Sequence, residues 1–534
     1  MPVTNQQIIG ALADSAKWLG STITYSIPGF GSSWAGYPAG DEQDNAGYGV
    51  LSSAQAISFR QAIVAWDRLI APSLVETNDQ QNPGVIRVAF TDVDDFTDGA
   101  VAYAYMPPDF GAGPSWAGDL WLDDSIKTHA FQPTDDDFHT LIHELGHALG
   151  LKHPFEGSVT LPAEYDNQRY TIMSYHDAGD AVWKTVRTAG SGLEQNGALV
   201  MPSTPMLFDI VAIQSKYGAD AAAAAGETTY RWNEAAPILE TVYDTGGLDT
   251  FDLSAHSRAS IIDLTPGAFS SIAYWSAQAQ AQHWAGVYGA QNLSWLTQQF
   301  DKADTYVWSR NVATANGTVI ENVIGSAGGD TIGGNAAANS LFGRLGNDSI
   351  SGGEGQDYLR GDEGGDTLVG GAAFDDINGN MGDDRAFGGE GNDWVVGGRD
   401  NDELFGEAGV DIVYGNLGDD TCDGGDAADT VRGGQGDDVV RGGAGDDWLA
   451  GDRGDDTLSG GLGADIFHSH GDAGMDRISD FNLAEGDRIN LLAGSTYAVA
   501  QSGADVVVSI AGGAQVVLAG VQVSSLTGGW LFVG

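Results

Sequence analysis

Apolar positions follow three different rhythms along this chain of 534 residues. Up to about residue 225 they alternate, or recur at helical spacing. STITYSIPG and GVIRVAFTDV alternate β-branched or aromatic residues with polar ones and predict strands, and GDLWLDDS from Gly118 predicts a short further strand. SSAQAISFRQAIVAWDRLI, from Ser52 to Ile70, predicts a capped amphipathic helix that buries Ile57, Ile63, Val64 and Trp66. TPMLFDIVAIQSKYG reads as a helix stopped by the glycine after Tyr217, and MPVTNQQIIGALADSAKWLG as an amphipathic helix at the start. From 226 to 324 the pattern turns irregular and β-like. A Gln/Ala/Trp-rich run, Trp275 to Phe300, receives no role from its pattern. From 469 to 534 alternating strands return, as in ADVVVSIAGGAQVVLAGVQV.

Between 325 and 468 one rhythm takes over. Acids stand at nine-residue intervals: Asp330, Asp348, Asp357, Asp366, Asp375, Asp384, Asp393, Asp402, Asp411, Asp420, Asp429, Asp438, Asp447, Asp456 and Asp465, with Asn339 as the one departure. An apolar residue follows each two places later, from Ile332 to Phe467, and a glycine precedes each by five, from Gly325 to Gly460. One apolar position per repeat builds no core alone, so the copies must stack. With two repeats to a turn, aspartates eighteen apart lie about one strand spacing, ~4.8 Å, from each other. Carboxylates that close repel unless a cation lies between them. Calcium fits, because it takes oxygen ligands that carboxylates and glycine-turn carbonyls supply. A disordered acidic linker would need neither the register nor the inward apolar residue. DTGGLDTFDLSAH resembles an isolated repeat turn and adds Asp244 and Asp249 as calcium candidates. The repeat resembles the RTX nonapeptide (repeats-in-toxin), which implies a parallel β-roll and several structural calcium ions.

The formal charge is -51, which argues against nucleic acid and anionic membranes as partners. Calcium would offset much of it. The single cysteine, Cys422, sits at an inward apolar position, so no intramolecular disulfide forms. No run of about twenty apolar residues spans a membrane.

The densest chemistry is FHTLIHELGHALGLKHP, Phe138 to Pro154. His143 and His147, four apart, share one helix face and can hold one zinc ion. Glu144 lies where a carboxylate reaches a water at the metal. Gly150 ends the helix and lets the chain return His153 as a third ligand. His139 is on the same face, but with three ligands supplied it reads as a neighbour of the site. RYTIMSYHD follows, with Met173 and Tyr175.

This zinc helix followed by such a methionine resembles the metzincin clan. Pro154 after the third histidine, the Met173-Ser174-Tyr175 turn, the lack of a matrixin cysteine latch and the trailing RTX repeats resemble serralysins in particular. That resemblance implies an α+β metzincin-like catalytic domain (1–225), a β-rich connecting region (226–324), a right-handed β-solenoid roll (325–468) and a C-terminal cap with a type I secretion signal (469–534). It implies a secreted zinc endopeptidase with Glu144 as general base and Tyr175 stabilising the oxyanion. The GDLWLDDS strand would form the cleft rim and pair with extended protein or peptide substrate. One catalytic zinc, a monomer, a proteinaceous inhibitor and export by an ABC transporter from a Gram-negative cell complete the expectation. The roll is longer than is usual for the family. The first predicted helix begins almost at Met1, where the family usually carries a short propeptide. The alternative class is a calcium-stiffened surface or adhesive protein with an inactive protease-like head.

Overall fold

The computed structural model describes residues 3–34, 36–37, 48–93, 100–109, 113–133, 135–190 and 192–534. These form two compact units, 1–226 with 234–247 and 266–318, and 227–233 with 248–265 and 319–534. The expected connecting region is therefore no separate layer, because its segments are shared between the two.

In the first unit helix α1 (Asn5–Leu12) starts from a capping box of Thr4 and Gln7. Strands β1 (Thr22–Ser26), β2 (Ser73–Glu76), β3 (Ile86–Thr91), β4 (Ala102–Ala104) and β5 (Asp119–Asp123) make one sheet in the order β2-β1-β3-β5-β4. Only β4 runs antiparallel to its neighbour. Helix α2 (Ser53–Asp67) buries Gln55, Phe59, Ala62, Ile63 and Trp66. Ile57 and Val64, expected inside, are 58% and 59% exposed. The buried stripe at 55, 59, 62 and 66 recurs at helical spacing, and the two β-branched residues lie outside it.

Helices α3 (Asp136–Ala148) and α4 (Leu207–Tyr217) follow, with the hairpin β6 (Val182–Ala189) and β7 (Gly192–Leu199) between them. The Gln/Ala/Trp-rich run folds as helices α5 (Ala277–Tyr288) and α6 (Leu293–Phe300), where a β-like pattern was expected. Ala281, Ala285, Leu296 and Phe300 bury Val186 of the hairpin. Of its glutamines Gln280 is buried, and its amide donates to the carbonyls of Trp275 and Tyr306.

The second unit is a β-solenoid of two thirteen-stranded sheets among the described residues, parallel except at one end, where Tyr497–Ser502, Asp505–Ile510 and Gln515–Leu518 pair antiparallel. Each repeat is a six-residue strand and a short turn, as in Ser340–Leu345 and Ser349–Glu354. The second position of each points inward, and every such residue from Ile332 to Phe467 is 2% exposed or less. The fourth, also inward, is the repeat glycine, which stands within the strand. A Cβ on Gly361 would lie 2.2 Å from Asp366 Oδ2, so the acid fills the space a side chain would need.

The sheets extend beyond the expected roll at both ends. Thr250–Asp252 pairs with Asn322–Ile324, and Ile261–Asp263 with Thr331–Gly333. Past 468, Met475–Ile478 and Arg488–Leu491 continue the same two sheets. The terminal apolar segment Leu531–Val533 pairs beside Arg488–Leu491.

Candidate active site

Asp135 caps α3 by accepting the Phe138 amide at 2.8 Å, and two acids follow in its first turn. The helix must end where the third histidine turns back. Gly150 does this at φ +89°, and a Cβ there would lie 2.4 Å from the Ala16 carbonyl. Gly146 has a different reason to be glycine: a Cβ would lie 2.6 Å from Met173 Sδ. The fully buried methionine packs directly under the helix.

His143, His147 and His153 come together, with ligand atoms all within 4.8 Å of one another. Each Nδ1 is engaged away from the centre: His143 with the Ile172 carbonyl (2.7 Å), His147 with the Leu151 carbonyl (2.8 Å), His153 with Glu156 Oε1 (2.7 Å). That leaves the three Nε2 atoms as the donor set, and it fixes the ring orientations. The His147 and His153 Nε2 atoms are 3.1 Å apart. An edge of a zinc tetrahedron with ~2.1 Å bonds is about 3.4 Å, so the residues fit that ion. Burial holds the His143 imidazole well below its ordinary pKa and brings His147 to about 4, so both are neutral, as ligands must be.

Glu144 is buried, its Oε2 has no hydrogen-bond partner among the described residues, and burial pushes its carboxyl up to about 8. Tyr175 is 65% exposed, with its ring 5.7 Å from that of His143 and 4.5 Å from that of His153. A cavity of about 400 Å³ opens beside them, lined by Val101, Asp136, His139, Thr140 and Gln168 as well as Glu144. His139 stays out of the histidine cluster, at a ring distance of 6.2 Å from His143.

Two features escaped the sequence pattern. Asp209 of α4 is fully buried, and it accepts from Thr171 Oγ1 (2.5 Å), the Ile172 amide (2.8 Å) and the Met206 amide (2.8 Å). It thereby holds the turn whose carbonyl orients His143. The second is the cleft edge. β5, the GDLWLDDS strand expected at the rim, is paired on both sides, and among the described residues the sheet edge near α3 is β4, whose three residues are too few to show a pattern.

In the solenoid each lattice acid acts on its neighbour. Asp348 Oδ1 accepts the Asp330 amide at 2.6 Å, Asp366 Oδ1 the Asp348 amide at 2.8 Å, and so on to Asp465 and Asp447 at 3.0 Å. From Asp348 to Asp465 every second oxygen, Oδ2, is buried without a partner among the described residues. Rows of orphaned carboxylate oxygens beside strand carbonyls fit calcium. Burial, more than mutual repulsion, raises these groups to about 6 in Asp357 and about 8 in Asp402 and Asp438. Asp330 differs: Ser260 and Ser326 satisfy both its oxygens. Asp249 accepts the Thr228 amide at 2.8 Å, and its pairing register places it in the same column as Asp357. Asp244, in the first unit, accepts the local Gly246 amide at 3.0 Å and stands outside the columns. Two acids that the nine-residue count missed, Asp476 and Asp487, extend the columns, because insertions break the interval in sequence but not in space.

Residues 45–180 match the matrixin family, and five segments between 324 and 478 match the RTX calcium-binding nonapeptide repeat. The chain is 31% identical over 322 residues to a serralysin of Photorhabdus laumondii subsp. laumondii, covering 55% of this chain and 56% of that one. It is 30% identical over 319 residues to the metallopeptidase AprA of Pseudomonas marginalis, covering 55% and 57%. Over 268 residues it is 33% identical to the metalloprotease AprA of Pseudomonas entomophila, covering 46% of each. The matched span is thus about half the length of these relatives.

Proposed function

We propose that a matrixin-type domain joined to a calcium-binding β-roll makes this chain a zinc-dependent endopeptidase. The observation that carries the reading is the convergence of three imidazole Nε2 atoms beside a buried, unpartnered glutamate. Zinc held by His143, His147 and His153 would polarise the scissile carbonyl and acidify the attacking water. Glu144 takes the proton from that water and later delivers it to the leaving amine. A neighbouring cation brings the Glu144 carboxyl down from its raised value into the range of a base. Tyr175 hydrogen-bonds the developing oxyanion, and its exposure leaves the ring free to move there. Substrate backbone adds to the free edge of β4.

The similar serralysins and the lattice together support secretion. The roll stays open at low calcium inside the cell, passes an ABC-transporter channel from an uncleaved C-terminal signal, and folds in millimolar calcium outside. Among the described residues no helix is long and apolar enough to cross a membrane.

The test is cleavage of denatured casein at fixed calcium, with and without a zinc chelator. Chelator-sensitive cleavage is expected, and Glu144→Gln should keep stoichiometric zinc while losing at least a hundredfold in rate. Chelator-insensitive cleavage, or a fully active Glu144→Gln, would overturn the assignment. Absence of any cleavage would favour the adhesive-protein reading.

A further inference from the structure

The two outer faces of the solenoid differ in a way that neither calcium nor proteolysis requires. In the sheet that contains Trp394–Arg399, the first strand position points outward and carries Tyr358, Trp394 and Trp448. Tyr358 and Trp394 are 39% and 43% exposed. The same position in the other sheet, from Thr331 to Thr457, carries no aromatic residue. That sheet's outward phenylalanines, Phe387 and Phe405, cover each other, stacked at 5.0 Å and 10°.

The aromatic face is laid out along the solenoid axis. Pairing runs Trp394, Ile412, Thr430, Trp448, so the two tryptophans stand three rungs apart, about 14 Å at the ~4.8 Å strand spacing. Across the rungs from Tyr414 to His470 lies a cavity of about 410 Å³, lined by Tyr414, Asn416, Arg432, Asp452 and His470. Arg432 is locked on Asp452 through Nε and a terminal nitrogen, at 2.8 and 2.6 Å, and Arg360 on Asp376 at 2.9 Å. Trp448 is braced by His468 at 5.3 Å.

We propose that this face binds a neutral, extended polysaccharide of β-linked pyranoses. The rung spacing is close to the rise of one sugar in such a chain, so stacked rungs present one set of contacts per sugar. The exposed Trp394 and the half-buried Trp448, one face of which His468 covers, offer indole faces to pyranose C–H edges, and the paired Arg and Asp side chains offer donors and acceptors with fixed directions. Arg360 and Arg432 are already neutralised by Asp376 and Asp452, while the chain as a whole carries -51, which selects against a polyanion. Such binding would hold the molecule on a glycan matrix, and it does not depend on the chemistry assigned to the first unit.

The experiment uses the full chain in excess calcium, sedimented with microcrystalline cellulose and run through alginate-containing native gels. Wild type should sediment with cellulose and pass alginate unretarded. A double variant, Trp394→Ala with Trp448→Ala, should lose at least tenfold in the bound fraction at an unchanged calcium midpoint by circular dichroism. Glu403→Ala, on the other sheet, should bind as wild type. Should the double variant fail to fold, Trp394→Ala alone at its exposed position gives the same reading. No sedimentation of wild type, retardation by alginate only, or wild-type binding by the tryptophan variants would overturn the proposal.

Discussion

Asp209 shows how much of the histidine centre rests on a residue with no motif around it. Its carboxylate gathers three donors in a fully buried position, and burial pushes it up to about 7. Asp209→Ala leaves those donors unmet, so a loss of about 3 kcal/mol or more is expected, with weakened zinc binding as the turn below His143 relaxes. Urea unfolding combined with zinc titration checks both, and wild-type zinc affinity in this variant would remove Asp209 from the support of the site. The histidines and Glu144 were readable because one helix and the glycine after it fix their geometry. Asp209 was not, because a buried aspartate in a distant helix carries no local signal. His139 shows the opposite case: spacing put it on the ligand face, and the structure keeps it out of the cluster.

Among elements, the solenoid strand was legible, and the place of the glycine five before each acid was not. Period alone located the inward apolar residue. It could not reveal that the glycine lies within the strand, under the following acid, since a turn and a close approach demand the same residue. Gly361→Ala would drive a methyl group into Asp366 Oδ2. The variant should unfold more easily by about 1–3 kcal/mol, as overpacked interiors do, and should need more calcium to fold. Calcium-titrated circular dichroism reads this, and an unchanged midpoint would rule out the close-approach explanation. Helix α2 failed for another reason, as apolar residues stand on both its faces and only packing decides which is buried. Three residues of β4 are simply too short for any alternation to register.

At the scale of the molecule, the lattice carboxylates set the response to acid. Without calcium their folded values, about 6 for Asp357 and about 8 for Asp402, lie above the ordinary carboxylate value. In that window the folded roll holds more protons than the unfolded chain, so its stability falls as pH rises through it. The calcium-free solenoid should therefore resist urea better at pH 5 than at pH 8. With calcium the order should reverse, since binding needs the ionised form and releases protons. Urea midpoints at both pH values, with and without chelator, decide it, and the same order in both conditions would contradict the carboxylate account. The architecture itself, a mixed α/β unit and then a stacked roll, followed from rhythm and motif. The division of 226–324 between two units did not, because those contacts join segments far apart in sequence.

The ladder in which each aspartate accepts the amide of the residue eighteen places earlier gives the solenoid a polarity. A turn added on the amino-terminal side meets a carboxylate already waiting for its N–H. A turn added on the carboxyl-terminal side supplies the carboxylate for the N–H of the turn before it, but leaves its own N–H without an acceptor until the next one forms. Growth is thus a ratchet that favours one direction, starting from Asp476 and Asp487, which seat the last regular turns. During calcium titration, amides near 456–491 should gain hydrogen-exchange protection before those near 330–360. A chain released with its carboxyl end leading would meet calcium first where this ratchet begins, and each new turn would draw the next one out behind it.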